Sequence, residues 1–220
     1  MQVPGPSQTV SALRSLLAAR FPERPRAPCA GVPAAVRAVD EALGGGLPAG
    51  SLTELVCAAP SGGGQTVIAG LLSATQEARQ RIALVDGADG FAPEAVPAGM
   101  LRHLVWVRCR APEEAFAVAD ILVRDGNYAA VVLDLRGCAE RALRRTPAST
   151  WYRLQRAAEG GTVAVLVQTQ SPLVPAVPWR LVLGDPLSLS DAGAPRQAVA
   201  DRLTVRTERG HAQAEERLAG

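Results

Sequence analysis

An α/β fold with a mainly parallel central sheet, covered by helices on both faces, is what this sequence predicts. Two observations carry that expectation. From Gly31 onward, short apolar runs of strand length alternate with helix-like stretches, and one such run feeds a glycine-rich loop that opens a helix. The size agrees, because 220 residues suit one domain with a substantial core. With 48% hydrophobic and 20% charged residues the composition is globular. No apolar run approaches the ~20 residues that span a bilayer. The first residues show neither a basic stretch nor an apolar one of the secretory kind, so a cytoplasmic location is expected.

Taken in order, the first 30 residues read as an amphipathic helix and a proline-rich linker. Val10, Leu13, Leu17 and Phe21 recur on one helical stripe, and Pro22, Pro25 and Pro28 end it. Such a helix either folds back on the core or docks on another subunit. The core domain is expected over 31–210 and a fraying tail over 211–220. Strands are predicted at 52–57, 82–85, 104–107, 128–133, 163–167 and 181–183, with a last one near 203–206. Helices are predicted at 66–79, 112–124 and 150–158. The second of these opens on Pro112, Glu113 and Glu114, residues suited to a helix N-terminus, and Gly126 closes it. Residues 188–198 read as loop.

The four cysteines lie far apart, with no C-x-x-C pair and no histidine cluster beside them, so neither zinc nor a disulfide is expected. Cys57 and Cys109 fall next to predicted strands and read as small core residues. All 23 basic residues are arginine, and the formal charge of +2 is too small for a non-specific nucleic-acid binder.

Residues 36–66, VRAVDEALGGGLPAGSLTELVCAAPSGGGQT, are similar to the RecA family, and the likeness extends over 31 to about 185. A helix at 37–43 leads into the Gly45-Gly46-Leu47-Pro48 turn, then a strand, then the phosphate loop. The family's loop has the form G-x-x-x-x-G-K-[ST], in which backbone amides hold phosphate, lysine reaches the outer phosphates and the hydroxyl binds magnesium. The matching octet runs from Ala59 through Gly62, Gly63 and Gly64 to Gln65 and Thr66. Ala59 stands for the first glycine and Gln65 for the lysine, and no other lysine exists to replace it. The segment from Asp86 to Pro93 is similar to the family's D-A-E-H-A-L-D-P, and Ala88 occupies the place of the glutamate that activates water. Residues 129–134 resemble the Walker B strand with its terminal Asp134, which is read as structural inheritance before metal binding. The stretches that correspond to the family's DNA-holding loops are short, so direct DNA binding is expected to be weak or absent.

The resemblance therefore implies a RecA-like P-loop fold carrying an N-terminal amphipathic helix, with no catalytic residue, no metal and at most weak ATP or ADP binding. Chains of this kind resemble the ImuA family, also called SulA-like, accessory proteins of bacterial SOS mutagenesis. That likeness implies a part in error-prone translesion synthesis beside RecA, ImuB and a DnaE-type polymerase. A SulA-like division inhibitor that binds FtsZ and a weak ATPase are the alternatives.

Candidate contact residues are Leu13, Leu16, Leu17 and Phe21, docking on RecA or a second copy of the chain, together with Arg141, Arg144 and Arg145 on one helical face and Trp151 nearby. In 136–156 Arg136, Arg141, Arg144, Arg145, Arg153 and Arg156 stand against the single acid Glu140, which reads as a solvated face or as a site for an acidic partner or DNA phosphate. Pro172, Pro175 and Pro178 make 171–179 either a rigid connector or a docking loop.

Overall fold

A computed structural model describes residues 31–59, 62–184, 187–188, 191 and 193–208. The N-terminal stripe with Leu13, Leu16, Leu17 and Phe21, Cys29, and the 211–220 tail lie outside the described residues.

The elements in chain order are α1 (Arg37–Ala42), β1 (Leu52–Val56), α2 (Gly64–Glu77), β2 (Ile82–Asp86), α3 (Ala98–Leu101), β3 (Leu104–Arg108), α4 (Pro112–Asp125), β4 (Ala130–Asp134), α5 (Glu140–Leu143), α6 (Ala148–Ala158), β5 (Ala164–Thr169), β6 (Trp179–Leu183), α7 (Arg196–Arg202) and β7 (Val205–Glu208). The seven strands form one sheet in the order β3-β2-β4-β5-β1-β6-β7. Every pairing is parallel except β6 with β7, so the sheet is mixed but mainly parallel.

The central strands β1, β2, β4 and β5 are buried along their whole length. This is why they read as continuous apolar runs, as strands covered on both faces do. Side chains alternate between two cores. Leu55, Leu84, Val132 and Leu166 meet Val67, Ile68, Leu71 and Leu72 of α2 on one face. Leu52, Val85, Leu133 and Val167 share the other face with Phe116 of α4 and Trp151 and Leu154 of α6. Gly126 caps α4 with φ of 74°, a left-handed conformation that glycine adopts without a Cβ penalty.

Residues 188–198 are not all loop, since α7 begins at Arg196. A helix of seven residues with only Ala200 buried leaves almost no periodic signal. Tertiary contacts hold it: Arg202 pairs with Asp191, and Arg196 donates to the Ala95 carbonyl. Leu203 turns inward behind it, so the last strand starts at Val205, two residues later than the sequence suggested. Four-residue helices such as α3 and α5 are shorter than a detectable period. Among the described residues no helix is long and apolar enough to cross a membrane.

Candidate functional site

Parallel register brings the carboxyl ends of the central strands together. Asp86 at the end of β2 lies opposite Asp134 at the end of β4, and Asp134 lies opposite Gln168 of β5. The crevice outside such strand ends is where open α/β sheets bind ligands. Here it encloses about 260 Å³, with Gln65, Asp86, Ala88, Asp134 and Arg136 among its lining residues.

Both carboxylates are buried, and both are already engaged. Asp86 accepts from the backbone amides of Ala88, Gly90 and Phe91 at 3.3, 3.0 and 3.0 Å and from Trp106 Nε1 at 3.3 Å. It therefore shapes the 87–91 turn. Asp134 accepts from Arg136 Nε at 2.8 Å, from Arg136 Nη2 at 2.6 Å and from the Arg136 backbone amide at 3.1 Å. A bidentate fork of this kind is the strong form of the carboxylate pair. Burial works against the Arg136 charge, but the bonds to Asp134 and its negative charge outweigh that, and the guanidinium is held above its ordinary pKa.

The glycine-rich loop meets this pair from the side. A Cβ built on Gly64 would stand 2.1 Å from Arg136 Nη1 and 2.9 Å from Gln168 Oε1, so it is residue 64 that faces β4 and β5. Thr66 comes about 200° further round the helix. It lines a different cavity with Ser73, Met100 and Arg196. The position of the octet that lies against Arg136 and Gln168 is thus Gly64. Gln65 reaches across and donates from Nε2 to the Gly90 carbonyl at 2.8 Å. On the far side, Leu203 Cδ2 lies 2.5 Å from where a Cβ on Gly63 would stand. Gly62 donates its amide to the Ala59 carbonyl at 2.9 Å.

Ala88 is exposed, and its methyl rests on Gly137, whose own Cβ would come within 2.6 Å of it. Asp89 beside it turns to Arg108 at 3.7 Å, with both side chains largely in solvent. Neither residue places a carboxylate in the crevice near Asp134. A nucleotide with magnesium, as a working phosphate loop holds it, needs a cation, a hydroxyl and a free carboxylate together. Among the described residues this donor set does not fit one. The carboxylate is taken, and the guanidinium is committed to Asp134.

The arginine-rich stretch divides. Arg136 belongs to the crevice and not to the surface patch. Arg144 pairs with Glu140 at 2.6 Å, and Arg153 lies 3.8 Å from Asp120 of α4. Among the described residues Arg141, Arg145 and Arg156 form no ion pair. Helix α5 ends at Leu143, so Arg144 and Arg145 sit on the turn after it rather than on an extended helical face. Trp151 is corrected as a contact residue: it is 2% exposed and packs edge-on against Phe116 at 4.7 Å. Its neighbour Tyr152 is the exposed aromatic.

Sequence reasoning also passed over Glu54. It lies in the middle of β1 and accepts from Arg180 Nε at 2.6 Å, from the Leu173 and Val174 amides at 2.7 and 3.1 Å and from Thr169 Oγ1 at 3.2 Å. Arg180 completes the network by donating from Nη2 to the Val174 carbonyl at 2.7 Å. With Val174 and Val177 buried as well, 171–178 is a packed connector. The visible signal was an acid inside an apolar strand, which demands a buried partner.

Cys57 ends up beside the Asp134–Arg136 pair, and burial pushes its thiol up to about 12. Burial likewise pushes Cys138 up to about 11, and its thiol donates to the Gly87 carbonyl at 3.3 Å. The native chain keeps both protons where the unfolded chain, titrating near 9.0, releases them. Unfolding then releases protons, so this contribution to stability is whole below pH 9.0 and is lost as pH rises towards 12. Denaturation midpoints should decline across that window, and thiol reagents should label Cys57 in the native protein far more slowly than in the unfolded one. Equal labelling rates would contradict the burial of Cys57.

The fold and the site define an α/β protein with a mixed, mainly parallel seven-stranded sheet, at whose strand ends Asp134 is paired with Arg136. Comparison with models of known protein families gives no match, and comparison with curated proteins gives none either.

Proposed function

We propose that the chain is a non-catalytic, RecA-like adaptor of the bacterial DNA-damage (SOS) response, acting in the cytoplasm and supporting error-prone translesion synthesis by binding RecA, ImuB or both. One observation carries the loss of catalysis: the acid at the end of β4 is neutralised by Arg136 of the same chain at 2.6 Å. Phosphoryl transfer rests on charge stabilisation and water activation, and each supplies orders of magnitude in rate. With Asp134 bound internally, Ala88 in the crevice lining and Gln65 tied to Gly90, neither is provided. The RecA likeness gains support from topology, since the motifs that arrive in that family's order along the chain end on one edge of a parallel sheet.

Binding then falls to surfaces. Arg141 and Arg145 offer unpaired positive charge to an acidic partner, and the apolar spacing of Leu13, Leu16, Leu17 and Phe21 in the sequence suits a contact with RecA or a second copy. The test mixes the purified chain with RecA and single-stranded DNA, recording association and filament ATPase, with ImuB as a separate ligand. Direct binding that lowers RecA turnover supports a filament-modulating adaptor. Tight binding to ImuB alone supports a polymerase scaffold that also engages the DnaE-type enzyme. Binding to neither, with binding to FtsZ, overturns the proposal in favour of a division inhibitor. A chain beginning at Gly31 is expected to lose RecA association, and undiminished binding by it would remove the stripe from the contact.

A further inference from the structure

In nucleotide-dependent loops, positive charge between the strand-end carboxylate and the first turn of the helix arrives with the ligand and its metal. In this chain that charge is built in. The Arg136 fork holds both oxygens of Asp134, and Nη1 occupies the space in which any side chain at position 64 would have to begin. Gln168, fully buried, donates from Nε2 to the Gly64 carbonyl at 3.1 Å and fixes the same turn from β5. Leu203 closes the opposite side over Gly63. The first turn of α2 is thus clamped from β4, from β5 and from the segment after α7, each time by a side chain of the protein itself.

We infer that Arg136 is a resident cation, a positioning residue that takes the place of a metal and a lysine, and that it fixes the start of α2 against β4 without any ligand. A Cβ at position 64 would meet the guanidinium as the fork holds it, so a larger residue there requires Arg136 to move. It also makes the conformation of this edge independent of nucleotide, so a partner that reads the edge meets one state and not two. An arginine held ready for a phosphate would instead keep its charge uncompensated and its donors turned to the crevice. Here two of its donors and its charge are spent on Asp134. The inference stands whichever partner the chain binds.

Thermal unfolding of the full chain tests it, with magnesium alone, magnesium–ADP and magnesium–ATP as probes. For the wild-type chain no probe is expected to move Tm. Arg136→Met keeps much of the volume but removes the charge, and its Tm should fall by roughly 5 °C because the Asp134 carboxylate loses its partner. Magnesium alone should then raise the Tm of that variant, since the released carboxylate can take a cation. Arg136→Met combined with Asp134→Asn should recover most of the loss and ignore magnesium. This double variant keeps the test decisive if Arg136→Met does not fold: recovery supports the charge pair, and its failure to recover shows that Arg136 acts by packing and overturns the inference. A wild-type Tm that rises with magnesium–ADP or magnesium–ATP overturns it too, by showing that the arginine serves a bound phosphate.

Discussion

Glu54→Ala should lower stability by about 3–5 kcal/mol, because it leaves the buried Arg180 without its counter-charge. For a chain of this size that is a fall in Tm of roughly 6–20 °C. The reason is the place of Glu54 in β1, between β5 and β6, with no exposed side-chain surface. One of its oxygens gathers the Leu173 and Val174 amides and the Thr169 hydroxyl, while the other holds Arg180. Removal strands a guanidinium and two amides in a place that water reaches poorly. Glu54→Gln should cost less, since an amide oxygen can still accept from the two backbone donors. Glu54→Leu with Arg180→Met should regain much of the loss, as apolar replacement of a whole buried pair often does. Urea and thermal unfolding of the three variants check the order, and an alanine variant within 1 kcal/mol of the parent would show that the pair contributes little.

That network marks where sequence reading stops. The strands at the sheet centre were legible because burial on both faces writes itself as runs such as Ile82–Asp86 and Ala130–Asp134. Helix α4 was legible through Pro112, its first-turn acids and Gly126. Elements held by tertiary contacts were not, and α7 is the clearest, resting on Arg196, Arg202 and Leu203 rather than on its own pattern.

At the site, the residue types at 59, 65, 88 and 134 could be read, but not which way they point. Gly64 fits the phosphate-loop pattern, but only the structure shows that it is the residue of α2 set against Arg136 and Gln168. In the sequence Arg136 reads as one of a run of surface arginines, because its neighbours do. Its side chain folds back on the residue two positions earlier, a choice made by the crevice and not by the local sequence. The one available signal was an arginine two residues beyond a strand-end aspartate in a chain with no lysine.

Trp151→Ala is the second large effect, expected at about 3–5 kcal/mol. Tryptophan beside Tyr152 and several arginines reads as an interface, but α6 turns Trp151 inward against α4. The ring stands edge-on to Phe116 at an interplanar angle of 86°, the arrangement that aromatic quadrupoles favour. Truncation opens a cavity under the α4–α6 face, which cannot collapse because both helices are also fixed to β4 and β5 through Leu133, Val165 and Val167. Tyr152→Ala, on the solvent side of the same helix, should leave stability within about 0.5 kcal/mol of the parent. The two variants therefore separate folding from contact. If Tyr152→Ala weakens association with RecA or ImuB at unchanged Tm, the α6 surface touches the partner. A loss of binding by Trp151→Ala reports only that the helix pair beneath that surface has come apart.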